Sequence, residues 1–471
     1  MKRLFSRAAF VALILLPRNL SAQITQREYA ARRDSLLAQL PDAVVVVLGA
    51  REPAEDYLEF NQSPGMDYLT GFREPEAALV LIKEKSRSTG MLFVQPRQPA
   101  AEVWSGKRVG MEGATKLTAL PARDASSFRQ VLDSLARGAL PIYIIGTLPG
   151  NDSITRTPDE QLVSALRRDH PALKLVDANG AVEKLRGRKS PDEMALIKKS
   201  VEITTAAQRE AIQAIRPGMH EYEIEAIIEA AFRRRGAERP SFATIVGSGP
   251  NSTTLHYNKN DREILSNDVI VMDIGASYDG YAADVTRTVP ANGVYSPEQR
   301  AVYQIVRDAQ AAAEKVALPG ANANDMDAAA TAVLARGLTQ LGLIVSPDAT
   351  YDGERGSVPQ YRLYYMHGLG HGIGLEVHDP DQWYFTNTLA EGSAFTIEPG
   401  IYVRENTLEI LRDTPKNRAL IAKLRPAVEK YRNIGVRIED DYIITNKGLE
   451  WISRAPREIS EIEALMRRPT P

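Results

Sequence analysis

The chain has 471 residues, enough at roughly 100 to 200 per domain for two or three domains with full hydrophobic cores. Its 44% hydrophobic and 25% charged composition is that of a globular chain and excludes intrinsic disorder, collagen-like repeats and a multi-span membrane protein. The 58 basic and 60 acidic side chains leave a net charge of −2, so no global field for nucleic acid exists, and zero cysteines exclude disulfides, thiolate metal sites and a cysteine nucleophile.

Residues 1–22 differ from the rest. Lys2, Arg3 and Arg7 precede an apolar run from Ala8 to Leu16, and Asn19-Leu20-Ser21-Ala22 follows. That is the layout of a secretory signal peptide, so export to a periplasm or to the outside of the cell is expected. The alternative is a frayed basic N-terminus, since Leu20 is a mediocre residue three before the expected cut. The apolar run is about nine residues against the roughly 20 that cross a hydrocarbon core, so no permanent membrane anchor is expected.

Residues 24–180 predict an N-terminal α/β domain. Ala43 to Gly49, Ala77 to Ile82, Met91 to Val94 and Ile142 to Ile145 are strand-like apolar runs, with helical stretches such as Asp124 to Arg137 between them. A boundary falls near Arg186-Gly187-Arg188-Lys189. Ser190-Pro191-Asp192-Glu193 then reads as a capping box with proline in the first turn, and opens a second domain over 190–471. Helices are expected up to Pro217-Gly218, over Glu221 to Arg235, and between Pro297 and Gly342, with a strand-rich stretch to about residue 290.

Without cysteine, any metal must be held by His, Asp and Glu. Val269 to Gly275 is a strand with one charge, Asp273, and a turn at Tyr278-Asp279-Gly280 predicts a hairpin bringing Asp284 close to it. Two converging carboxylates repel unless a cation or a proton separates them. Taken alone, the pair is equally compatible with carboxylates that cap turns or pair with Arg287. His367, His371 and His378 fall within His367-Gly368-Leu369-Gly370-His371-Gly372-Ile373-Gly374-Leu375-Glu376-Val377-His378-Asp379, three of only six histidines in the chain. Glycines on alternate positions disfavour a helix and let a backbone approach a ligand closely. A turn-rich loop whose histidines cap backbone groups is the alternative. Glu398 ends the run Phe395-Thr396-Ile397, and strand alternation would aim Arg437 and Glu439 at one face, unless Glu439 simply pairs with Arg437 or sits in a hydrated turn. Together, Asp273, Asp284, His371, Glu398 and Glu439 offer four carboxylates and one imidazole, a set suited to hard divalent cations.

These segments resemble those of the metallopeptidases of the creatinase and methionine aminopeptidase, or pita-bread, fold, in their proline-selective aminopeptidase P branch. Tyr68 to Glu76 and Glu102-Val103-Trp104 are similar to that branch's N-terminal domain, and Thr244 to Gly249 with Leu255-His256-Tyr257 to its substrate loop. All five ligand segments occur in the family's order. The pattern departs from the family over Asn61 to Met66, and in a long stretch between Glu398 and Glu439 closer to that of prolidases. The resemblance implies an N-terminal α/β domain followed by a pita-bread catalytic domain. It implies two divalent ions, taken as Mn²⁺, with Asp273 on one, Asp284 and Glu439 bridging, and His371 with Glu398 on the second. A paired site lowers the pKa of a shared water from about 15.7 towards roughly 7. Glu398 would also move the proton, His256 and His378 would hold the substrate carbonyl and the tetrahedral intermediate, and His367 and Arg437 would support the ligands. His367, His378 and Tyr402 are candidates to surround a proline ring, and Trp104 to reach a neighbouring subunit's site in a dimer or tetramer, with core packing as its alternative. The implied substrates are peptides with proline in second position, not nucleic acid. Prolidase activity on Xaa-Pro dipeptides is the alternative, and a non-catalytic binding protein a further one, disfavoured because all five ligands are present.

Overall fold

The computed structural model describes residues 23–467, apart from 56, 147 and 149–156, so the expected signal segment lies outside the described residues. The first domain is built on one six-stranded sheet. Its strands are β1 (Ala43–Leu48), β2 (Ala78–Glu84), β3 (Arg87–Val94), β4 (Ala122–Asp124), β5 (Ile142–Ile145) and β6 (Leu175–Asp177), in the order β4-β3-β2-β1-β5-β6. β1 pairs antiparallel with β2 and parallel with β5. Every residue of β1 is buried because both faces are covered, which explains its unbroken apolar run. Val45 and Val47 belong to a core with Leu36, Met66 and Val182; Val44 and Val46 belong to another with Leu132, Val163 and Leu166. The four expected strands are present, while β4 and β6 have only three residues each and no apolar run to announce them.

The helix Asn179–Arg186 still packs on this sheet through Val182, and Pro191–Ala214 opens the second domain. Ser190 and Glu193 make the expected capping box, the Ser190 hydroxyl accepting from the Glu193 N–H at 3.2 Å. The domains are tied by ions. Arg73 pairs with Asp67 at 3.0 Å and reaches across to the Asp279 carboxylate at 2.6 Å, while Arg32 pairs with Glu193 at 3.3 Å.

In the second domain, Val269–Ile274 lies between Ile245–Ser248 and Val285–Pro290 in an antiparallel sheet. Asp440–Thr445 lies between Ala394–Ile397 and Gly448–Trp451, and Gly400–Val403 pairs with Ile434–Arg437. The expected hairpin turn is present, with Asp279 and Gly280 both at positive φ (49° and 81°), as a tight two-residue turn requires. Helices Glu221–Arg234, Pro297–Val316 and Ala323–Gln340 pack apolar faces onto these sheets. The long stretch before Glu439 is largely the helix Pro415–Tyr431, docked on the hairpin Thr350–Pro359, where Asn417 bonds both the N–H and the carbonyl of Asp352 at 3.0 Å. No helix among the described residues is long and apolar enough to cross a membrane.

Candidate metal centre and active-site cleft

Three of the four acidic residues sit where strands break. Asp273 lies inside its strand, opposite Thr286. Asp284 falls between Ala282 and Val285, Glu398 between Ile397 and Gly400, and Glu439 between Arg437 and Asp440. At these breaks the backbone leaves its ladder and bonds sideways. The Glu439 N–H donates to the Thr286 carbonyl at 3.1 Å, the Glu398 N–H to the Leu369 carbonyl at 2.7 Å, and the Asp284 N–H to the Asp441 carboxylate at 3.1 Å. Three segments far apart in sequence are thereby stitched at the points that aim their carboxylates inward. Arg437 and Glu439 do line one cleft, across a break rather than along one strand.

The cleft has a volume of about 250 Å³ and is lined by all five expected ligands together with His256, His367, His378 and Arg437. His371 Nε2 lies 3.5 Å from Asp284, 3.6 Å from Glu398 and 3.8 Å from Glu439, too far for hydrogen bonds. Its Nδ1 donates to the Gly372 carbonyl at 3.0 Å, which leaves a lone pair on Nε2 facing three carboxylates. Burial, then His378, lowers this imidazole's pKa to about 4, so it is neutral. Asp273 Oδ1, Asp284 Oδ1 and Glu439 Oε1 are buried without a hydrogen-bond partner. Burial and, next, the Glu439 charge push Asp284 and Glu398 well above the usual carboxylate range; burial and Asp273 push Glu439 up to about 7. Orphaned buried carboxylate oxygens around a free imidazole nitrogen fit divalent cations, which would cancel the repulsion.

A chain of donors supports this group. Arg437 pairs with Asp273 and donates to the Tyr402 hydroxyl at 3.0 Å, Tyr402 donates to His367 Nε2 at 2.8 Å, and His367 Nδ1 donates to the Gly368 carbonyl at 2.7 Å. Burial, then Arg437, lowers His367 to about 3, which holds it neutral. Tyr402 is fully buried and lies behind the cleft wall, so the expectation that it surrounds a proline ring gives way to this supporting role. His378 stacks on His371 with centroids 4.0 Å apart, and its Nδ1 donates to Asp381 at 2.8 Å, which raises its pKa. His256 is exposed and lines the cleft with Leu255. Trp104 is 78% exposed, so core packing is excluded for it.

Sequence reasoning missed Thr286, whose hydroxyl donates to Glu439 at 2.7 Å; Asp381; Asp441; and Phe385 at the cleft mouth. Asp381 had a signal, three residues after His378 at the start of a short helix. Thr286 had none beyond facing Asp273 in the hairpin.

The model of metallopeptidase family M24 matches residues 195–446, and that of the aminopeptidase P N-terminal domain matches residues 29–143. The Xaa-Pro aminopeptidase of Escherichia coli K12 is 34% identical over 462 residues, covering 94% of this chain and 98% of the relative. The chain belongs to metallopeptidase family M24. Among solved structures, a glutamate-to-alanine variant of E. coli aminopeptidase P in complex with substrate is 31% identical with a TM-score of 0.79, covering 94% and 98% of the two chains. Pseudomonas aeruginosa aminopeptidase PepP is 32% identical with a TM-score of 0.80, covering 95% and 99%. The expected two-domain pita-bread architecture is thus the observed one, and this M24 member is a metal-dependent hydrolase. Within the cleft, atoms of Asp284, His371 and Glu439 lie close enough together to hold a metal ion.

Proposed function

We propose that this M24 enzyme is an Xaa-Pro aminopeptidase that uses two Mn²⁺ ions, held by Asp273, Asp284, His371, Glu398 and Glu439, to release the N-terminal residue from peptides with proline in second position. The observation that carries it is His371 Nε2 lying 3.5 to 3.8 Å from carboxylate oxygens of Asp284, Glu398 and Glu439, in a cleft where one oxygen each of Asp273, Asp284 and Glu439 is buried without a hydrogen-bond partner and in a chain whose relatives bear that name across both domains. When bound, the divalent ions supply Lewis acidity, which brings the pKa of water from about 15.7 towards roughly 7. The chain's own residues do the rest. Glu398 takes the proton of the attacking water and returns it to the leaving nitrogen. His378, oriented by Asp381, and His256 hold the substrate carbonyl as it becomes tetrahedral. Arg437 and His367 fix Asp273 and the cleft floor. The bond before proline lacks an N–H, so a site recognising it needs imidazole and apolar walls rather than an amide acceptor, and His367, His378, Leu255 and Phe385 supply such walls.

Purified protein with Mn²⁺ is expected to hydrolyse an Xaa-Pro-Yaa tripeptide and to lose that activity to a chelator. Cleavage of the Xaa-Pro dipeptide alone would make it a prolidase, and inactivity on both with every divalent metal would leave a binding protein. Export is proposed from the layout of residues 1–22; the mature N-terminus, read by mass spectrometry from expressing cells, is expected near Gln23, and Met1 there would refute it. The exposed Val103 and Trp104 support a homo-oligomer, dimer or tetramer, which light scattering would show and a monomer would refute.

A further inference from the structure

The loop that carries His378 is held from outside the second domain's own sheets. Residues 372–380 join His371 to the helix Asp381–Thr386. Asp379 closes the loop on itself: its carboxylate accepts from the Leu375 N–H at 2.6 Å and its N–H donates to the Gly372 carbonyl at 2.7 Å. Its remaining partners come from the linker between the domains. Arg186 places Nη2 2.7 Å from Asp379 Oδ1 and 2.5 Å from Glu376 Oε2, gripping the loop on both sides of His378. Lys189 Nζ donates to the Asp379 carbonyl at 2.7 Å. Gly187 packs so close to the Trp383 ring that a Cβ there would collide with it, on the helix that bears Asp381 and Phe385.

Both linker cations are only 5% exposed. Burying a cation costs several kcal/mol unless it is well paired, and a loop that needed only capping could be capped by neutral groups. The two cations instead converge on the residue beside His378, and the glycine between them lets the linker lie flat against the next helix. We propose that Arg186 and Lys189 are positioning residues of the cleft. Acting through Asp379, they fix the direction in which His378 and Asp381 face the substrate, so turnover depends on how the N-terminal domain is seated. The inference rests on the role given to His378 above.

The test is a double-mutant cycle with an Xaa-Pro-Yaa tripeptide and Mn²⁺. Lys189→Met and Arg186→Met are each expected to lower kcat by about tenfold while KM moves less than about twofold, because a misaimed group loses contact with the transition state. In a His378→Ala background the same substitutions should cost less than about twofold, since the residue they act through is gone. Arg186→Lys, which keeps the charge, should recover part of the loss. Equal losses in both backgrounds would overturn the proposal while leaving the function intact. Unimpaired turnover by His378→Ala would instead overturn the role of His378 itself. If the Met variants fail to fold, Asp379→Asn, whose amide oxygen still accepts from Leu375 while its NH2 replaces the acceptor that faces Arg186, carries the same cycle.

Discussion

Glu439 and Asp440 are neighbours in sequence and both are buried, yet their surroundings are opposite. Asp440 pairs with Arg287 at 2.7 Å and Arg457 at 3.0 Å, and accepts from Ser453 at 2.7 Å. Burial pushes its pKa up, but the two guanidiniums outweigh burial and hold it below the usual carboxylate range. Glu439 has one neutral donor, Thr286, and an orphaned second oxygen among other carboxylates. Both side chains are equally removed from water, so burial does not tell them apart. Compensation does: the chain sets two guanidiniums against Asp440, while Glu439 keeps an unpartnered oxygen suited to the proposed metal.

The contrast breaks first by removing a member of the uncompensated set. Glu439→Ala is expected to lower kcat/KM on an Xaa-Pro-Yaa tripeptide by about 10³-fold or more, while the metal-free chain keeps or gains melting temperature because one repelling charge is gone. Near-normal activity would refute the site. Asp440→Ala should do the reverse, leaving Arg287 and Arg457 buried without a counter-ion at a cost of roughly 3 to 5 kcal/mol in denaturant unfolding. A stability loss no larger than that of Glu439→Ala would erase the distinction.

The pH dependence of the metal-free protein sharpens it further. The carboxyl of Glu439 rises from 4.5 to about 7 on folding, so its protonated form favours the native state. That contribution is full below pH 4.5 and is lost as pH climbs through 7, on the order of 3 kcal/mol. Melting temperatures with chelator should fall over this window and hold steady with saturating divalent metal; a rise in the chelated protein would contradict the sign. The smallest effect is expected from Thr286→Val, which removes the one donor Glu439 has. Metal affinity by titration calorimetry should weaken about tenfold with little change in fold.

The five residues of the proposed metal site drew notice because each is a charge or imidazole in an apolar or glycine-rich segment, where it is out of place on composition alone, and the structure brings all five to one cleft. The strands were legible as apolar runs, both in Val269–Ile274 around Asp273 and in β1 of the first domain. What stayed hidden depends on which distant segments meet. Nothing near Tyr402 in sequence indicates that its hydroxyl joins Arg437 to His367, and nothing near Thr286 points to Glu439. Trp104 could be read as core or interface until its exposure excluded core packing. The Arg186-Gly187-Arg188-Lys189 stretch announced a boundary, as basic and glycine-containing segments do, but its two cations turn out to be buried in contacts made about 190 positions away.

Gly370, Gly372 and Gly374 alternate through the histidine loop, and a Cβ on any of them would run into the carbonyl of Thr396, the carbonyl of Asp379 or the carboxylate of Asp379. Alanine is elsewhere the mildest of substitutions. Here it offers no neutral exit, because the obstructing atoms are largely backbone and cannot swing aside. These three positions are therefore closed to a side chain, whereas a substitution at exposed His256 meets open space and leaves the fold undisturbed. In this loop Gly370, Gly372 and Gly374 are the positions where the fold has no room for a side chain at all.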